Sequence, residues 1–198
     1  MNEQEYVEKM QQYFDELAPA WDSICKHDEG KLRLICRLAA PAPGNRLLDI
    51  GCGAGVMIGP LLATDPAELL ALDLSPCMIE QAAQKYRDVR LRLLAGDFFA
   101  LKESGFDLAL LYSVYPHFPN KKNLARQTAH CLKSGGRFMV AHSESRAIIN
   151  SRHQSGAAAR LSQPLKAAEE EAKTWREYFN IDTLIDTEQL YVISGRRV

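Results

Sequence analysis

LLDIGCGAG, residues 47–55, is the stretch on which the reading of this chain turns. An apolar run of strand length passes through Asp49 directly into Gly51, Gly53 and Gly55, a pattern that joins a buried strand to a helix through a tight turn. Such glycines let a ligand approach the backbone, and the N-terminus of the next helix offers free N–H groups. A glycine run also describes a turn that binds nothing, so the surrounding chain has to decide.

From Arg46 onward short apolar runs alternate with helical stretches. RLLDI, ELLALDL, VRLRLLAGD, FDLALLY and GRFMVAH read as five strands, with helices expected over 54–63, 76–86 and 121–132. That alternation predicts βαβ units, hence a parallel sheet with helices on both faces. A helix at 166–178 follows, then NIDTLIDT and QLYVISGRR, two runs so close in the chain that only antiparallel pairing can join them. Ahead of the core, YVEKMQQYFDEL spaces Tyr6, Met10, Tyr13, Phe14 and Leu17 along one helical face, and EGKLRLICRLAA is a second helix stopped by Pro41, Pro43 and Gly44. The expected fold is α/β: a doubly wound, mainly parallel seven-stranded Rossmann-like sheet with an antiparallel C-terminal hairpin. One domain, 1–198, is expected, with a helical extension over 1–43 and the core over 44–198.

The 198 residues carry 24 Lys and Arg against 25 Asp and Glu, a net charge of −1, which provides no field to attract a polyanion. Nucleic acid is therefore not an expected partner. The acidic N-terminus lacks the apolar core of a secretory signal, and no run approaches the roughly 18 apolar residues of a membrane span, so a cytoplasmic location is expected. Cys25, Cys36, Cys52, Cys77 and Cys131 include no Cys-x-x-Cys pair, which suggests free thiols and no metal site.

Three carboxylates narrow the ligand. Asp49 precedes the first glycine, Asp73 ends the second strand and Asp97 ends the third, so a parallel sheet brings all three to the carboxyl edge where ligands bind. Asp73 has the lone pairs to accept two ribose hydroxyls. A dinucleotide oxidoreductase is the alternative, but the third glycine of its G-x-G-x-x-G fingerprint would fall on Val56. Asp49 would also repel a pyrophosphate, whereas it suits a ligand with a positive amino group.

Together these residues resemble the class I S-adenosylmethionine-dependent methyltransferases, specifically the small-molecule type 11 group that includes ubiquinone and menaquinone C-methyltransferases. LLDIGCGAG looks like their first motif, ALDLSPCMIEQA their second, AGDFF their third, SVYPHFPN the loop after the fourth strand and LKSGGRFMVAH the turn and fifth strand. The resemblance implies their Rossmann-like fold, with S-adenosylmethionine as cofactor, S-adenosylhomocysteine as product and a small-molecule acceptor. It assigns to the cofactor Asp49, Gly51, Cys52, Gly53, Asp73, Leu74, Met78, Asp97, Phe98 and Ser113. A cofactor-binding protein without turnover is a further alternative.

Methyl transfer needs few catalytic side chains, though an acidic acceptor calls for a base, usually histidine. His117 in SVYPHFPN follows the fourth strand, and His142 opens AHSESRAIINSRH on the fifth. If that run turns helical after Ser143, Arg146, Asn150 and His153 share one face. Arg146 is then expected to anchor an anionic or carbonyl group of the acceptor, with Asn150 and His153 lining its pocket and His142 near the methyl group. His117, His142 and Arg146 are the catalytic candidates. Tyr13 and Trp21, from a lid-like YFDELAPAWD, join Tyr115, Asn150 and His153 on the acceptor side. A monomer or homodimer is expected.

Overall fold

The computed structural model of the protein describes residues 2–154 and 156–198. Helix α1, Glu3–Leu17, starts where the Asn2 side chain accepts the Glu5 N–H, and a 3₁₀ turn at Ala18–Ala20 leads into the single turn α2, Trp21–Ile24. Helix α3, Glu29–Ala39, is capped by Asp28 and ends on Ala40 in the left-handed region.

The core alternates as the sequence predicts: β1 Arg46–Ile50, α4 Ile58–Leu62, β2 Glu68–Asp73, α5 Pro76–Lys85, β3 Leu91–Ala95, β4 Phe106–Tyr112, α6 Lys121–Cys131 and β5 Leu132–His142. Then come α7 Arg146–Arg152, α8 Gly156–Arg160, α9 Ala168–Trp175, β6 Phe179–Asp186 and β7 Tyr191–Arg197. The seven strands run in the order β3-β2-β1-β4-β5-β7-β6, with β1 to β5 parallel and β7 antiparallel to both β5 and β6. The expected sheet and hairpin are present. Three boundaries move: α4 begins at Ile58 because residues 51–57 are used in turns, β5 begins at Leu132, and α9 is shorter than 166–178.

Side chains alternating on the central strands feed two apolar layers. Leu48, Ile50, Ala109, Leu111, Phe138 and Val140 face α6 and α9, where Trp175 stacks on Phe138 with ring centroids 4.1 Å apart. Leu47, Leu69, Ala71, Leu108, Leu110 and Met139 face α3 and α4 instead. With both faces covered, the usable surface is the carboxyl edge. Strand order reverses there between β1 and β4, splaying the loops that follow them.

Candidate active site

A cavity of about 450 Å³ opens at this edge, walled by Ile50, Leu72, Tyr112 and His142 at or near the ends of β1, β2, β4 and β5. The N-terminal helices roof it. Tyr6 Oη donates to the backbone carbonyls of His117 (3.1 Å) and Leu161 (2.9 Å), and the Phe14 ring meets the His117 imidazole edge-on at 5.1 Å. Farther along, the Ser75 hydroxyl donates to Asp15 and Lys85 pairs with Asp22, so the roof is tied down at both ends.

The glycine loop forms one wall. Gly51 has φ +68°, and a Cβ there would lie 2.4 Å from a methyl group of the stiff Val114 side chain. Only glycine lets the β1 and β4 loops come this close. The Trp21 indole lies over Gly53, whose N–H donates to Asp73 Oδ2 at 2.8 Å, while Ser75 N–H donates to Oδ1 at 2.9 Å. Asp73 is thus held rigidly by two backbone donors and still lines the cavity. Burial holds its carboxyl above the usual carboxylate range, against the opposing pull of those N–H groups. Asp97 accepts the Phe99 N–H through one oxygen, capping a short 3₁₀ turn, and it too lines the cavity.

Asp49 is 1% exposed and is not a wall residue. Burial, and then the charge of Asp73, push its carboxyl up to about 7, and its Oδ2 has no hydrogen-bond partner among the described residues. Its service to a ligand would be a negative field behind the loop rather than contact. Of the other residues expected at the cofactor, Gly51, Cys52, Gly53, Leu74, Met78, Phe98 and Ser113 all line the cavity. A cavity wall of glycine backbone, a fixed carboxylate at the end of β2 and a buried carboxylate with an unmatched oxygen behind it fit a nucleoside ligand carrying a cationic amino group.

At the other end stand imidazoles. His117, His142 and His153 line the cavity, the first and last in edge contact at 5.2 Å. His117 Nδ1 is taken by the Leu161 carbonyl and the Ser162 hydroxyl, both at 3.1 Å, and His153 Nδ1 by the Ile149 carbonyl at 2.8 Å. Burial drives His117 down to about 4 and His142 down to about 3, so both are neutral at physiological pH.

Four expected acceptor residues lie elsewhere. Arg146, in the first turn of α7, pairs with Asp186 of β6 at 3.0 Å and does not reach the cavity. Asn150 is consumed by residue 165, donating to the Leu165 carbonyl and accepting its N–H, so it anchors the returning chain. Tyr115 is fully buried and donates to Glu171 at 2.9 Å on α9, holding the loop that carries His117. Tyr13 packs edge-on against Phe14 and is outside the cavity wall, whereas Trp21 is in it. The inward face of α1 is Tyr6, Met10 and Phe14.

Sequence reasoning missed His27 and Tyr112. His27 Nδ1 lies 2.9 Å from the Tyr112 hydroxyl, which in turn is 2.8 Å from Ser143 Oγ, a relay along the cavity wall. His27 stands between two helices with no motif around it, so nothing local marks it. Arg152 also lines the mouth, bonded through both guanidinium arms to Glu144.

Residues 48–138 match the protein family model described as Methyltransferase domain. The ubiquinone biosynthesis O-methyltransferase of Xylella fastidiosa is 32% identical over 106 residues, covering 50% of this chain and 42% of that protein. The 27-O-demethylrifamycin SV methyltransferase of Amycolatopsis mediterranei is 30% identical over 128 residues, 60% of this chain and 47% of that one. The chain thus spans less than half the length of these curated relatives. A putative S-adenosylmethionine-dependent methyltransferase from Listeria monocytogenes shares the fold with a TM-score of 0.70 at 13% identity, over 86% of this chain and 100% of that one. The N-methyltransferase NodS from Bradyrhizobium japonicum, in complex with S-adenosylhomocysteine, has a TM-score of 0.65 at 18% identity over 85% of each chain. Residues 48–138 are thus similar to a methyltransferase domain, and the chain shares its fold with these S-adenosylmethionine-dependent and N-methyltransferase structures.

Proposed function

We propose that the protein transfers the methyl group of S-adenosylmethionine to a small-molecule acceptor held beside His117, His142 and His153. The observation that carries this reading is that one cavity joins the glycine loop and Asp73 to a cluster of imidazoles under a helical roof. When bound, the cofactor supplies an electrophilic methyl group on a sulfonium.

The chain's own contribution is binding, alignment and exclusion of water. Asp73 would hold the ribose hydroxyls with the lone pairs left over from Gly53 and Ser75. Asp97 would take the adenine amine through its free oxygen, and Phe98, Leu74 and Met78 would enclose the ring. The backbone of Gly51, Cys52 and Gly53, with Ser113, would receive the amino-acid end, while Asp49 supplies charge behind it. Helix α1 would close the site to solvent. The printed names of the curated relatives favour oxygen as the atom methylated.

Calorimetry with S-adenosylhomocysteine and with NAD tests the reading. Micromolar binding of S-adenosylhomocysteine, weakened at least tenfold by Asp73→Asn, and no binding of NAD are expected. Binding of NAD alone would instead establish the oxidoreductase alternative, which Val56 disfavours.

A further inference from the structure

Among the three imidazoles at the inner end of the cavity, His142 differs from its neighbours. His117 and His153 each give a ring nitrogen to the protein, whereas neither nitrogen of His142 has a partner among the described residues, although the ring is 1% exposed. It sits at the end of β5, edge-on to Tyr191 at 6.0 Å, and lines the cavity. An unmatched buried imidazole gains from any ligand group that completes its hydrogen bonding.

The surroundings restrict what that group is. Besides Tyr191, the titratable groups that face His142 are His117, His153 and Lys121, none of them a carboxylate that would stabilise an imidazolium. Lys121 is no anchor for an anion either: its Nζ donates to the Tyr115 carbonyl, lies 3.7 Å from the centre of the Tyr115 ring and stands outside the cavity wall. The cations that do line the cavity, Lys26 and Arg152, are exposed at its mouth, and Arg152 is paired with Glu144. Arg146 is spent on Asp186. A carboxylate or phosphate brought to the inner end would therefore lose its hydration without meeting a free cation from the protein. A hydroxyl both donates and accepts, so it satisfies a neutral imidazole in either tautomer. Size restricts the ligand further, because about 450 Å³ is room for roughly one drug-sized ligand and must also hold a nucleoside-bearing donor.

We propose that the inner end of the cavity is a binding site for a small, uncharged hydroxyl compound of about one ring, a phenol or enol, whose O–H donates to a nitrogen of His142. This rests on the methyl-transfer reading, in which the oxygen so held is the acceptor and its hydrogen bond to His142 positions it. His142 is then the residue that selects a protic, uncharged acceptor over an anionic one.

Binding to the full chain saturated with S-adenosylhomocysteine, which precludes turnover, tests the inference with phenol, anisole and benzoate as probes. Phenol is expected to bind at least tenfold tighter than anisole, which lacks the proton, and than benzoate, which carries a charge. His142→Leu should abolish the preference of phenol over anisole while S-adenosylhomocysteine affinity stays within twofold. Equal binding of phenol and anisole to the unmodified protein, tighter binding of benzoate, no binding of phenol, or an unchanged preference in a folded His142→Leu variant would each overturn it. The unmodified-protein comparison stands even if the variant does not fold. Failure of S-adenosylhomocysteine itself to bind would count against the methyl-transfer reading, and the three probes can then be titrated without it to judge the His142 site separately.

Discussion

At the residue scale, Gly51 and Asp49 carry the sharpest consequences. Gly51 combines a left-handed backbone with the near approach of Val114, and both penalise any side chain. Gly51→Ala should cost about 1–2 kcal/mol for the backbone alone, with the clash in addition, and should weaken S-adenosylhomocysteine at least tenfold. Urea unfolding and calorimetry measure the two effects. Asp49 has its carboxyl raised from 3.8 to about 7, above its value in an unfolded chain. The folded protein therefore binds the extra proton between those pH values, and stability from this group is lost as pH rises through them. Asp49→Asn should gain stability relative to the unmodified protein at pH 8 compared with pH 5, by roughly 1–3 kcal/mol. His117 and His142, lowered by burial, have the opposite sign: their contribution is lost as pH falls below about 6.5. They are present in both proteins, so their effect cancels in that comparison.

At the element scale, helices α1 and α7 show how far periodicity carries. The amphipathic face of α1 was readable, and Tyr6, Met10 and Phe14 at i, i+4 and i+8 do turn toward the cavity. Tyr13 is one residue, about 100°, away from Phe14 and so falls outside the wall. On α7 the shared face of Arg146, Asn150 and His153 was a correct helical pattern with the wrong neighbours: the positions that line the cavity are Ile149, Arg152 and His153. Asp186 and Leu165, which claim the other two, are 40 and 15 residues away in sequence. Helix α1 also yields a prediction. Its Tyr6 hydroxyl is the strap to both His117 and Leu161, so Tyr6→Phe should speed amide exchange in α1 about fivefold, the worth of roughly 1 kcal/mol of hydrogen bonding, with little change in the β4 and β5 amides. Equal acceleration in the strands would mean global destabilisation rather than a loosened roof.

At the scale of the whole molecule, binding and stability are linked. If the cofactor side of the cavity is used as proposed, S-adenosylhomocysteine at 100 times its dissociation constant should stabilise the protein by about 2.7 kcal/mol. For a chain of this size that is a rise in Tm of about 5–10 °C, read by differential scanning fluorimetry. Asp73→Asn should show a much smaller shift at the same ligand concentration. The order of the elements, the parallel sheet and the terminal hairpin were all legible, since each follows from local hydrophobic period and connection length. So was the gathering of Gly51, Gly53, Asp73 and Asp97 at one edge, because they sit at or just after the ends of strands and a parallel sheet aligns such ends without further information. The polar groups at the other end of the cavity were not. His27 meets Tyr112 across 85 residues, Tyr115 meets Glu171 across 56, and His142 is distinguished only by what fails to contact it. The sequence by itself determined the sheet and the edge on which a ligand sits, because strand and helix periods act over a few residues. Only tertiary packing decided which polar groups are consumed and which are left facing the cavity, because that depends on partners distant in the chain.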